Sequence, residues 1–250
     1  MKTAELAYRL NRLLNVRIVQ DDSLNGLQID NSGNVQTVAF AVDVSQACLV
    51  QAQEKRAQFL IVHHGLFWGK PVPLTGALYE WIRSFIRYDI ALYAVHLPLD
   101  LHPQFGNNAQ LVKLFGWKKS LDFGEYHGQT IGKAVILPKP LSLSELAERM
   151  RRQLRCEPLV WRFGDPKVKR IAFLSGGAMS MIGQVAEAGY DTLVTGEPSH
   201  SYYWAAKDSR INVLFGGHYQ TETVGVRALQ QYVQNRWGLD TVFIDLPTGL

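Results

Sequence analysis

Four stretches of this sequence end in side chains that bind metals or move protons. A His63-His64 pair follows the apolar run Leu60-Ile61-Val62, and Asp100 lies four residues beyond His96 in HLPLD (96–100). Glu197 and His200 follow TLVTG, and His218 and Glu222 stand four apart in HYQTE (218–222). Mixed imidazole and carboxylate ligands fit zinc, iron, manganese, cobalt or nickel without choosing among them. The count says more. One catalytic zinc takes three protein ligands and a water, whereas His63, His64, Asp100, His218 and Glu222 make five. Five such ligands suit two divalent ions per chain sharing a bridging carboxylate, an arrangement that holds ions ~3.5–4 Å apart and activates a bridging water.

Each member has an ordinary reading of its own. Adjacent histidines point to opposite faces if their strand continues, so one of His63 and His64 could pack in the core. The His218/Glu222 spacing also fits a helix start, where an acidic residue in the first turn is favoured. His96 reads as a structural or ligand-supporting histidine rather than a direct ligand. His102 and His127 read as surface or turn residues. Trp68, Tyr202, Tyr203 and Trp204 read as core or interface, although Phe67 and Trp68 follow His-His-Gly closely and could wall a pocket. The metal reading rests on the combination.

These residues must be placed by strands, because in α/β folds the carboxyl ends of strands line the ligand crevice. Apolar spacing predicts a helix over 3–15 and strands over 36–44, 58–64 and 90–96. Ser45 caps a helix running to about Arg56, residues 77–88 form another, and a short one runs from Asn107 or Asn108 to near Gly116. Residues 21–34 read as turns, and 65–76 as loop. In the second half, strands are expected over 128–137, 158–163, 169–177, 190–196, 212–217 and 240–245. Helices are expected from the Ser142/Glu145 capping box to about Leu154, over 178–188, over 199–208, and from Thr221 to Gly238.

Alternating strands and helices predict an α/β fold with mixed, mostly parallel sheets. The two halves look alike. Residues 38–65 and 171–200 each run strand, turn, helix, strand and polar cluster, and each is followed by a strand ending in His-x-x-x-Asp/Glu. This predicts two similar lobes facing a shared metal cleft, within a single family unit 1–250. The approximate lobes are 1–120 and 121–250, with the boundary in Leu121–His127.

Composition limits the remaining possibilities. At 250 residues and 47% hydrophobic, the chain can bury a full core in one large or two small domains. Charged residues are 19% and mixed in sign, and the net charge is +4. The tightest basic cluster, Arg149, Arg151, Arg152 and Arg155, reads as a solvated face, so nucleic acid is not expected as a partner. Cys48 and Cys156 match no ligand spacing and read as reduced thiols. The N-terminal helix pattern lacks a signal peptide's apolar stretch, and no apolar run approaches the ~20 residues that span a bilayer, so a cytoplasmic location without membrane contact is expected.

The segments NGLQ (25–28), VHHG (62–65), HLPLD (96–100), GNNAQL (106–111), TGE (195–197) and GGHYQTE (216–222) together resemble the GTP cyclohydrolase 1 type 2 family, also described as NGG-interacting-factor-3-like dinuclear-metal-centre proteins. The match runs from the first helix to the last strand. The resemblance implies two divalent ions on His63, His64, Asp100, His218 and Glu222, a two-lobed α/β fold, and a homohexamer with its sites facing an inner cavity. With only about 121–165 where longer members insert a domain, the chain looks like the short form. It departs from the family in carrying Gly196-Glu197 where Gly-Asp is common.

Two functional expectations follow. One is a metal-dependent hydrolase acting on a nucleotide-like small molecule, in a cyclohydrolase at the carbon between the ring nitrogens of guanine. His96, Glu197 and His200 would then be catalytic candidates that shuttle protons or orient ligands. The other is a non-catalytic metal-handling or scaffold ring. The absence of a Walker-type phosphate loop and of a guanine-specific motif leaves the substrate to the resemblance alone.

Overall fold

A computed structural model describes all residues, 1–250. The chain gathers into two compact units, one formed by 1–99 with 226–246 and the other by 100–225 with 247–250.

The strands of the first unit are β1 (Gly26–Ile29), β2 (Thr37–Asp43), β3 (Phe59–His64), β4 (Ala91–Ala94) and β11 (Asp240–Phe243). They form one sheet in the order β1-β4-β3-β2-β11. Strands β4, β3, β2 and β11 run parallel, and β1 is antiparallel to β4. Parallel strands are covered on both faces and need unbroken apolar runs, and FLIV and ALYA supply them: Phe59–Val62 and Ala91–Ala94 are all buried. The helices of this unit are α1 (Thr3–Leu13), α2 (Gln46–Glu54) and α3 (Gly76–Tyr88). Ser45 does cap α2, its hydroxyl accepting from Cys48 N–H at 3.1 Å. Residues 226–246 belong here because β11 pairs in register with β2, Asp240 opposite Thr37.

The second unit comprises β5 (Leu121–Tyr126), β6 (Gln129–Ser142), β7 (Leu159–Trp161), β8 (Lys167–Phe173), β9 (Thr192–Thr195) and β10 (Asn212–Phe215). Their order in the sheet is β5-β6-β8-β9-β10-β7. Only β8, β9 and β10 run parallel; β5, β6 and β7 pair antiparallel, so the parallel character expected from the sequence holds for the centre of this sheet and not its margins. Helix α4 (Leu97–Asp100) links the two units, and the helices of the second are α5 (Asn107–Leu114), α6 (Leu143–Leu154), α7 (Ile182–Glu187) and α8 (Tyr203–Asp208). Asp100, the last residue of α4, is the first of this unit. The Ser142/Glu145 capping box is present on α6. Helix α9 (His218–Trp237) starts in this unit and ends in the first.

The internal likeness read from the sequence is a likeness of topology. The strand order β1-β4-β3-β2 is repeated as β7-β10-β9-β8, each with three parallel strands and an antiparallel fourth beside the third. Several local expectations need correction. Residues 21–34 contain strand β1, whose GLQI pattern is short and half-buried. The proposed boundary at 121–127 is strand β5, the first arm of a hairpin. That hairpin turns at His127 and Gly128, whose φ values are 50° and 72°; two left-handed residues in succession are what a tight hairpin turn demands. The strand expected to reach 177 stops at Phe173, since Gly176 at φ 64° cannot continue it. Helix α9 begins at His218, three residues before the expected start. No helix is long and apolar enough to cross a membrane.

Candidate metal centre

In the first unit the site grows from the carboxyl ends of β2, β3 and β4. His63 and His64 close β3. Their ring centroids are 4.7 Å apart, and His64 pairs with Asp43 at the end of the β2–β3 ladder. His96, two residues past β4, lies 5.1 Å from His63 and 5.5 Å from His64 by the same measure. The ligating atoms of the three lie within 4.8 Å of one another.

Each imidazole is tied through Nδ1 to an oxygen. His63 Nδ1 is 2.9 Å from Val95 O, His64 Nδ1 is 2.7 Å from Asp43 Oδ1, and His96 Nδ1 is 3.0 Å from Asp21 Oδ1. An oxygen at Nδ1 holds the proton there and turns Nε2 to a ligand, which is how metal-binding histidines are oriented. Asp21 is itself fixed by Ser23 N–H, the Asn25 amide and Leu97 N–H. Burial pushes the Asp21 carboxyl up, but the bond to His96 and these donors outweigh it and bring it down to about 2. Asn25 also accepts from His96 N–H at 2.7 Å, and Gln28 accepts from Leu66 N–H at 2.8 Å, so the NGLQ segment braces the histidines rather than joining them. Gly65 is required by this packing: a Cβ there would stand 2.4 Å from the Ala94 Cβ and 2.6 Å from the Gln28 amide.

In the second unit, His218 and Glu222 open α9. His218 lies between two carboxylates, Nδ1 3.2 Å from Glu197 Oε2 and Nε2 3.2 Å from Glu222 Oε2. Gly176 makes room, since a Cβ there would come within 2.2 Å of Glu222 Oε1. Asp100 is buried and accepts from the Asn107 amide at 2.7 Å, while the Ser175 hydroxyl is 3.3 Å away. Asn107 in turn accepts from Gly225 N–H, and Asn108 accepts from Ser175 N–H, which gives the GNNAQL motif its task. His200 stands exposed in a 3-10 turn, and it is Glu197 that reaches His218. His102 accepts from Gln104 and Phe105 N–H groups and stacks on Phe105, a local structural role.

The sequence alone does not single out Asp21 or Asp43. Asp43 carries a usable signal, a carboxylate at the carboxyl end of a parallel strand. Asp21 carries none, since only folding brings it to His96. The donor set in each unit has metal-ligand chemistry: oriented imidazoles in the first, and an imidazole with buried carboxylates in the second.

The sequence profile of Duf34/NIF3 (NGG1p interacting factor 3) matches residues 1–248. The chain belongs to this family. A Deinococcus radiodurans relative described as a GTP cyclohydrolase 1 type 2 homolog is 41% identical over 246 residues, covering 98% of this chain and 94% of the relative. A Pyrococcus horikoshii protein of the same description is also 41% identical, with complete coverage of both. Among solved structures, the protein ybgI, described as of unknown function, superposes with a TM-score of 0.92 at 35% identity, and TTHA1606 from Thermus thermophilus with 0.90 at 37%; each comparison covers both chains fully. The Duf34/NIF3 fold thus extends through both units of this chain.

The ion pairs in the second unit set a pH dependence. The Glu222 hydrogen bond, opposed by burial and aided by the charges of Glu222 and Glu197, raises His218 to about 9. A raised histidine contributes stability that is fully present below the unfolded value near 6.5 and is lost as pH rises through about 9. In metal-free protein, the urea midpoint should fall between pH ~6.5 and about 9 through this pair. Glu222→Gln should flatten that fall, and an unchanged slope in the variant would contradict the pairing.

Proposed function

We propose that this Duf34/NIF3 protein is a dinuclear metal-dependent hydrolase acting on a nucleotide-like substrate, with His63, His64, Asp100, His218 and Glu222 as ligands of two divalent ions. The observation that carries the proposal is the pair His63 and His64, rings 4.7 Å apart and each committed through Nδ1 to an oxygen. Such tethering serves a metal ligand and has little purpose for a packing residue. The buried carboxylates of Asp100 and Glu222, each held by polar neighbours, add the negative charge that paired cations require.

Divalent ions in this ligand set would supply Lewis acidity and lower the pKa of a bound water towards ~7. The chain's own residues do the rest. Asp43 and the Val95 carbonyl fix the faces of His64 and His63. Asn107 fixes one oxygen of Asp100. Glu197 keeps the Nδ1 proton of His218, one carbon further out than the aspartate common at this position, and Gly177 accommodates its reach, with a built Cβ 3.0 Å from Glu197 Oε1. Trp68 stands beside His64, with 6.1 Å between the ring centroids. The relatives' descriptions make GTP the first substrate to test.

Assembly into a homohexamer in the cytoplasm completes the proposal. Val72, Leu74 and Tyr79 on one stretch of the first unit are about half exposed, apolar surface that an interface between copies would cover.

Asp100→Ala and Glu222→Ala should each lose metal while keeping the wild-type circular dichroism, and hydrolysis of GTP or of a phosphoester panel should disappear with the metal. Full metal content in either variant would remove that residue from the ligand set. Turnover that survives chelation shown to strip the ions would rule out metal-dependent hydrolysis. A metal-loaded chain inert towards the whole panel would favour a metal-handling or scaffold ring. Light scattering at micromolar concentration should give six times the chain mass; a monomer would contradict the assembly.

A further inference from the structure

Trp68 stands beside the first unit's histidines, and the proposed ligand set leaves it without a task. We infer that Trp68 is the stacking wall for the substrate: its ring receives the flat heteroaromatic base of a nucleotide and favours such substrates over phosphoesters that carry no ring. The inference rests on the nucleotide-hydrolase reading above and gives it a specificity-determining residue.

An exposed aromatic ring alone says little about function. The way this one is held says more. Trp68 is 39% exposed, so its ring can be reached from solvent. Its position is nevertheless fixed. The chain after β3 is tied at successive residues: Leu66 N–H donates to Gln28 at 2.8 Å, Phe67 O accepts from Leu24 N–H at 2.9 Å, and Trp68 pairs with Ser23 in an isolated antiparallel bridge. From Trp68 to Ala77 every residue is exposed, so the indole sits where the anchored part of the loop ends. A ring placed in advance binds a flat ligand without first having to be ordered.

The polar capacity of the side chain is already used. The indole N–H is its single hydrogen-bond donor, and it donates to Gly65 O at 3.1 Å. What remains for a ligand is the π surface. That surface lies beside the groups proposed for the chemistry, with ring centroids 5.1 Å from His96, edge-on, and 6.1 Å from His64. Stacking on an aromatic side chain tolerates any base, because every base has a π face. A wall of this kind suits a chain that carries no guanine-specific motif: Trp68 selects for a ring and not for one purine.

The test uses full-length, metal-loaded protein, with GTP, ATP and inorganic tripolyphosphate as probes. Trp68→Leu should raise KM for GTP and for ATP by a similar factor, roughly 10-fold or more, the loss expected when a base loses its aromatic partner. The inhibition constant of tripolyphosphate, which has no base to stack, should not move, and Trp68→Phe should keep most of the wild-type KM. Metal content, near-ultraviolet circular dichroism and the mass by light scattering should all match wild type. If Trp68→Leu does not fold, Trp68→Phe decides the matter by fluorescence: the quenching that GTP causes in wild type should be lost, and full quenching in the variant would contradict the wall. Unchanged nucleotide KM in folded Trp68→Leu would overturn the inference and leave the hydrolase reading standing. So would an equal loss of tripolyphosphate, or a change of assembly mass, which would make Trp68 a general structural or interface residue. Wild-type protein that hydrolyses ring-free phosphoesters and binds neither GTP nor ATP would remove the wall while keeping metal-dependent hydrolysis. Wild-type protein that binds no nucleotide and turns over nothing would overturn both.

Discussion

The tie between an imidazole Nδ1 and an oxygen recurs at every histidine of the donor sets in the two units. Val95 O, Asp43 and Asp21 hold His63, His64 and His96, and Glu197 holds His218. A histidine has two rotatable bonds and two tautomers, and it is a good ligand only when both are settled in advance. The oxygen settles the tautomer and the rotamer together. Much of the surrounding sequence follows from this need. Asn25 and Leu97 hold Asp21, Gln28 braces the loop after Gly65, and Gly65 and Gly176 leave space where a side chain would strike Ala94 and Gln28 or Glu222 and His218.

The scaffold meets this requirement twice with one plan. In each unit three parallel strands deliver their carboxyl ends side by side, and an antiparallel strand closes one edge. Parallel strands in register place residues distant in sequence at one sheet end, which is why the histidines at 63, 64 and 96 meet without long loops. The units then diverge. The first extends its sheet by β11 from the far end of the chain, and the second by the β5–β6 hairpin.

The buried strands and the metal-type residues at their ends are legible in the sequence, because unbroken apolar runs such as FLIV and ALYA admit little else. The ligand-supporting residues mostly are not. Asp43 sits at a strand end and can be inferred from that position, but Asp21 lies in a stretch of turn residues, and only the approach of β1 to β4 brings it to His96. Strand β1 is hidden because four residues, one buried and three half-buried, carry no clear period. Strand β5 is hidden because its exposed Leu121 and the turn residues after it read as a linker. The carboxylate behind His96 is likewise invisible to sequence spacing.

The account stands or falls on the metal. The most direct measurement is elemental analysis of the chain purified without chelator and then exposed to excess divalent metal and desalted. Close to two ions per chain are expected, in keeping with two ions shared by five ligands. A reproducible value near zero after metal exposure would contradict it, and would leave the tethered histidines without a purpose.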